Sequence, residues 1–193
     1  MISVIIPYDI DRGYLKEAME SVYAQTYSNW ELIVERGECR LGQNLNNAIL
    51  GARGEFIKVL AEDDLLTPDS LKILRKGIDG YDFIYSDAEN FGDLKGWPPR
   101  SNDKTVTLES MIKGNGIHGG TTLYRKDVLI EAGCYDDSLC TGEEYDLHLK
   151  LIHAGYKHRH IPGIVYRYRL HASNKSAARN RHFEIERIKK RYV

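Results

Sequence analysis

Residues 56–64 read FIKVLAEDD: a run of β-type residues from Phe56 to Leu60, then Ala61, then three acids in succession, Glu62, Asp63 and Asp64. The apolar run predicts a buried strand. Three adjacent carboxylates at its end repel one another, so a positive partner is expected there. Hard oxygen ligands on a site edge suit Mg2+ or Mn2+, which keep other positions for water and phosphate, and such an ion can neutralise a departing diphosphate. The plain alternative is a turn leading into a helix, where acids are common.

The pattern repeats outward from this strand. Residues 2–6 (ISVII) form an apolar run stopped by Pro7, and residues 30–34 (WELIV) form another. Leu15, Met19, Val22 and Tyr23 fall on one helical face. Leu45, Ala48, Ile49 and Ala52 mark a second helix, with Gly54 placed as its C-cap. After the acids, Thr67 and Pro68 read as cap and first residue of a third helix continuing through Leu71 and Leu74. Residues 83–85 are a fourth strand. This β-α-β-α-β-α-β order over the first 86 residues predicts an α/β fold with a mostly parallel central sheet flanked by helices. Right-handed crossovers put the strand C-termini on one edge, where ligands bind.

The second half is less regular. Residues 91–103 are rich in Gly, Pro and Asp and read as a mobile loop able to order over a bound ligand. A short helix follows Thr107, and residues 121–124 read as a strand. Residues 126–132 form a helix ended by Gly133. Residues 143–154 form a buried helix ended by Gly155, residues 165–169 (VYRYR) a strand with one wet face, and residues 179–193 a basic helix.

The 193 residues suit a single domain. Its first half, 1–90, reads as the ligand-binding part, 91–178 as the second half of the site, and 179–193 as a helical appendage. A net charge of −1 gives no electrostatic footprint for nucleic acid. The cysteines, Cys39, Cys134 and Cys140, have neither a CxxC pair nor zinc spacing and read as reduced thiols. No signal peptide or membrane span is evident, so a cytoplasmic protein is expected.

Three further groups carry potential chemistry. Glu143 and Glu144 open the buried helix, where acids complement the helix dipole; a carboxylate held rigidly there also suits a general base. His171 follows an alternating strand and is a fair metal or phosphate ligand. His118, Gly119 and Gly120 form a small-residue turn that a substrate can approach closely.

Taken in order, these pieces resemble the family 2 glycosyltransferases of the GT-A fold. The matching stretches are Ile5-Ile6-Pro7-Tyr8, Ala24-Gln25-Thr26-Tyr27, Glu31-Leu32-Ile33-Val34, Ala52-Arg53-Gly54-Glu55-Phe56-Ile57 before the acids, and Leu65 to Pro68 after them. Later come Tyr124-Arg125-Lys126, Gly133-Cys134-Tyr135-Asp136, residues 143–149, Ala154-Gly155-Tyr156 and residues 166–171.

The resemblance implies a metal-dependent, inverting transfer from a nucleotide-sugar donor to a glycan or lipid-linked acceptor. Pro7, Tyr8 and Glu35 would then meet the nucleoside, and Glu62, Asp63 and Asp64 the rest of the donor. Asp63 and His171 would hold Mn2+ or Mg2+. Glu144, beside Glu143, would be the base, and His118, Gly119 and Gly120 would face the acceptor. Three positions depart from the family pattern: Ala61 replaces the first acid of the DXD motif, Glu35-Arg36-Gly37-Glu38 replaces Asp-Asp-Gly-Ser, and Glu144 replaces Asp. The nucleotide is therefore left open.

Two other functions compete. A nucleotidyltransferase would need a glycine-rich, basic phosphate loop after the first strand, which Pro7-Tyr8-Asp9-Ile10-Asp11 does not provide. A degenerate binding module that recognises a nucleotide or glycan is favoured by Ala61 and Arg36. The chain is short for the family and reads as a minimal enzyme or one module of a larger protein. The basic C-terminal helix offers a peripheral contact with an anionic membrane face, but Glu184 and Glu186 dilute its charge, and a helix packed on the domain with a solvated face is the favoured reading.

Overall fold

The computed structural model describes residues 1–37, 40–93, 102–172, 174 and 181–193. Glu38, Cys39 and the centre of the 91–103 loop lie outside the described residues. β1 (Ile2–Tyr8) pairs in parallel with β2 (Trp30–Arg36) and β3 (Phe56–Val59), so that Tyr8 stands beside Arg36, and Val59 beside Ile5. Ile2, Val4 and Ile6 of β1 enter one core and Ile5 the other, on opposite faces. That period of two, apolar on both faces, is what a doubly covered parallel strand requires. α1 (Leu15–Tyr23) covers one face through Ala18 and Val22, and α2 (Leu41–Gly51) the other through Leu45, Ala48 and Ile49.

The sheet has seven strands in the order β2-β1-β3-β6-β5-β7-β4. It is mixed. β6 (Leu123–Arg125) inserts antiparallel between β3 and β5 (Phe83–Gly92), and β7 (His158–Leu170) runs parallel to β5. β4 (Leu65–Leu66), directly after the acidic run, pairs antiparallel with β7 through Leu65–Arg167 and Leu66–Tyr166. This short pairing positions the site, because it sets Asp63 and Asp64 beside Arg169 and His171.

Several boundaries differ from the sequence reading. Gly54 is not a C-cap: α2 ends at Gly51 and is capped by Ala52, whose N–H closes on Ala48 O and Ile49 O. Gly54 is needed for space instead, since a Cβ there would lie 2.5 Å from Ser3 Oγ. α3 (Ser70–Gly77) starts after a turn at Thr67–Asp69, with Ser70 N–H donating to Thr67 O. Thr67 Oγ1 donates to Ile164 O rather than capping the helix. β5 runs on through Phe91 and Gly92, which had read as loop, and β7 is much longer than 165–169. Thr121 belongs to a 3-10 turn, Gly119–Thr121, ahead of β6.

α4 (Leu108–Lys113) carries a reciprocal cap between Thr107 and Ser110. α5 (Lys126–Glu131) and α6 (Glu143–His153) are followed by Gly133 and Gly155, both at positive φ. α7 (Arg181–Lys189) packs back on α6.

Candidate active site

The C-terminal ends of β1 and β3, the 3-10 turn, the start of α6 and the end of β7 enclose a cleft of about 490 Å³. Pro7, Tyr8, Glu62, Asp63, Asp64, His118, Gly119, Gly120, Glu143, Glu144 and His171 all line it. Glu35 does not. It sits opposite Pro7 on β2, outside the lining.

The three acids play three different parts. Glu62 pairs with Arg12, which also holds Asp9. Asp63 meets His171, with Oδ2 and Nε2 2.9 Å apart. Asp64 is buried at 2% exposure and accepts hydrogen bonds from Tyr166 Oη and Arg169 N–H, each 2.7 Å. Burial, reinforced by the charge of Asp63, raises the Asp64 carboxyl well above its ordinary range, against the pull of those two bonds. Arg169 threads this corner: Nε donates to Asp63 O at 2.7 Å, and its guanidinium reaches Glu17. Asn174 accepts from His171 N–H and donates to Arg169 O, which fixes the end of β7.

The 3-10 turn forms another wall. His118 Nδ1 accepts from Gly120 N–H at 3.1 Å, and the ring packs against Tyr166 and Tyr168. The glycines leave room for the protein's own side chains. A Cβ on Gly119 would lie 2.3 Å from Glu144 Cδ, and one on Gly120 2.3 Å from Tyr166 Cζ. Glu144 therefore rests its carboxylate on Gly119. Gly142, at φ +82°, turns the chain into α6 and brings Glu143 and Glu144 into the cleft. Asp146, in the same helical turn, is structural: it takes Arg191 and Tyr192 Oη.

Sequence reasoning passed over Lys58. It lies in the middle of β3, fully buried. Its ammonium donates to Val59 O at 2.9 Å and to Gly120 O, and lies 5.0 Å from the centre of the Tyr166 ring. Burial lowers its pKa to about 7, while Glu144 and Asp64 pull it upward. A charged residue inside an apolar run was the available signal. Arg12, which also lines the cleft, stood in a stretch where nothing singled it out, and Tyr166 was read only as part of the strand and motif that lead to His171.

Asp63 and His171 fit a divalent cation only in part. Among the described residues, no group of three or more His, Cys, Asp or Glu is arranged to hold a metal ion. Two protein ligands suit a cation whose other positions go to water and substrate phosphate, not a closed protein site.

No family model matches the chain. A Rickettsia felis protein named an uncharacterized glycosyltransferase is 27% identical over 224 residues, covering 95% of this chain and 36% of that protein. A Methanocaldococcus jannaschii protein of the same description is 23% identical, covering 98% of this chain and 75% of the relative. The chain thus spans about a third of the length of the first of these relatives. Among solved structures, S. aureus TarS in complex with UDP-GlcNAc aligns with a TM-score of 0.79 at 19% identity, over 97% of this chain and 65% of the other. A Pyrobaculum calidifontis mannosyltransferase in complex with GDP-Man and Mn2+ aligns with a TM-score of 0.65 at 15% identity, over 98% and 60%. The fold is GT-A, an α/β architecture with a cleft at its strand ends. Relatives named glycosyltransferases match the chain along nearly its full length.

Proposed function

We propose that this domain transfers a sugar from a nucleotide-diphosphate donor to an acceptor hydroxyl, with inversion. One observation carries the reading: a single cleft holds both a rigid carboxylate, Glu144 on α6, and the Asp63–His171 pair. Pro7 and Tyr8 line the part that takes the nucleoside. Contact with the base at Glu35 requires the donor to extend past the cleft lining. Asp63 and His171 would hold Mn2+ or Mg2+, which supplies charge neutralisation to the diphosphate when bound.

Glu144 accepts the proton of the acceptor hydroxyl as its oxygen bonds to the anomeric carbon. The bond to the diphosphate breaks on the opposite side with its electron pair, which inverts the centre. His118, Gly119 and Gly120 face the acceptor, a glycan or lipid-linked sugar. For Gly119 and Gly120 that contact is through the backbone, because their α-faces are taken by Glu144 and Tyr166. Membrane contact through α7 draws support from exposed Phe183 and its basic residues. Ile188 is nevertheless fully buried, and Arg191 is engaged by Asp136 and Asp146. Among the described residues no helix is long and apolar enough to cross a membrane.

Ala61 favours a second reading, a binding module without turnover. Calorimetry with a panel of UDP- and GDP-sugars, with and without Mn2+, followed by a hydrolysis assay on each ligand that binds, separates the two. Under the transferase reading, Asp63→Asn abolishes metal-dependent turnover. Glu144→Gln lowers kcat by about 100-fold or more while donor binding persists. Undiminished turnover in Glu144→Gln places the base elsewhere, and binding with no hydrolysis or transfer supports the module.

A further inference from the structure

Lys58 is the side chain least expected where it stands. An ammonium in the apolar interior carries a heavy desolvation cost, and an apolar residue of similar volume would be as stable or more so. Its two carbonyl acceptors explain how it is tolerated. Gly120 O belongs to the 3-10 turn and Val59 O to the strand end that leads into the acidic run, so the ammonium ties the two together. Glu144 rests on the neighbouring residue of that turn, Gly119.

The charges around Glu144 give the ammonium a second role. Asp64 in the acidic turn, Tyr124 on β6, Tyr135 after α5, Tyr166 on β7 and Glu143 on its own helix all face the same region. Each of these is an acid, and any that ionises opposes the charge on Glu144. His118 shares the cleft, with its Nδ1 taken up by Gly120 N–H. Lys58 is a cation coupled to Glu144 from within the core.

We propose that Lys58 is a positioning residue for the transfer reaction: its buried ammonium holds the turn beneath Glu144 and keeps that carboxylate in its charged, proton-accepting form. The proposal rests on the reading of Glu144 as the base. Burial without partners would push Lys58 further toward neutrality, and Glu144 and Asp64 restore part of its charge. By reciprocity, Lys58 favours the charged Glu144 by the same coupling.

The test uses two variants. Lys58→Gln keeps a hydrogen-bond donor and loses the charge, and Lys58→Met loses both at similar length. Carboxyl 13C NMR of glutamate-labelled protein follows Glu144, whose signal is identified by its absence in Glu144→Gln. Both variants are expected to move the Glu144 titration to higher pH, with the acid limb of kcat/KM moving alongside. A purely structural lysine would lower activity evenly across the profile. An unmoved Glu144 titration in a folded variant overturns the proposal.

If neither variant folds, Glu144→Gln serves from the other side. The Lys58 ε-carbon signal should then titrate at lower pH than in the wild type, and an unchanged midpoint overturns the proposal equally. Full turnover in Glu144→Gln would remove the base role and leave the NMR coupling to judge Lys58 separately.

Discussion

Gly119 shows how much of the proposed chemistry depends on a missing atom. Its φ is not in the left-handed region, so alanine is allowed by the backbone. What alanine cannot do is share space with the Glu144 carboxylate, which a Cβ would approach to 2.3 Å. Gly119→Ala should displace Glu144, the proposed base, by about 1 Å and lower kcat by about 100-fold, with donor binding kept. Glu144→Asp, one methylene shorter, should recover part of that loss in the double variant. Kinetics on the four proteins of the cycle check this, and strictly additive losses would show that the two residues do not couple. The acidic run, the helix-opening pair and His171 were legible as residue types. The partners of the acids were not, because Glu62 to Arg12, Asp63 to His171 and Asp64 to Tyr166 are separated by 50 to 108 positions in the chain. Pairs so distant are set by strand order, and only the structure displays that order.

The strands and helices of the first half were readable because each obeys its own period. β1 and β3 are buried on both faces and largely apolar, and α2 carries an apolar stripe of Leu45, Ala48 and Ile49. β7 was read too short because His158, Arg159, His160, Pro162 and Gly163 look like loop. Pairing with β5 overrides that local preference, with register shifts between Tyr85 and Ala88 absorbing the irregular stretch. Gly54 was misread as a cap because the contact that demands a glycine, Ser3, lies 51 residues away.

The same corner holds a pH-sensitive staple. Glu31 of β2 accepts from Ser3 Oγ on β1 at 2.6 Å and from Arg53 N–H at 2.6 Å, and it pairs with Arg53 Nε at 2.8 Å. Partial burial alone would raise the Glu31 carboxyl, but these bonds outweigh it and bring its pKa down to about 2. A folded pKa below the unfolded one means stability that is present above pH 4.5 and is lost as pH falls through about 2. Glu31→Gln should therefore cost about 1–3 kcal/mol near neutrality, with the difference shrinking toward pH 2. Urea unfolding at several pH values measures it. A cost that stays constant down to acid pH would mean the amide fails for reasons of packing alone.

At the level of the folded chain, the two halves meet across the cleft, and the second half is braced from behind. α7 lays Ile185 and Ile188 against Gly142, where a Cβ would come within 3.1 Å of both, and Arg191 bridges Asp136 to Asp146. The basic C-terminal helix, read as packed on the domain with a solvated face, thus supports the start of α6, and with it Glu144. A donor seated between the halves would contact β1, the acidic turn and the end of β7 together, so its binding should appear as added stability of the whole domain. At 100 times its Kd, a ligand that binds only the folded state adds about 2.7 kcal/mol. For 193 residues that corresponds to a rise in Tm of about 5–10 °C. The expected result is that UDP with Mn2+ gives this rise, that either alone gives less, and that EDTA reverses it. Asp63→Asn should keep its own Tm within a few degrees of the wild type and lose the Mn2+-dependent part of the shift. Equal shifts from UDP with and without Mn2+, in both proteins, would show that the diphosphate is held by side chains alone and would remove Asp63 and His171 as metal ligands.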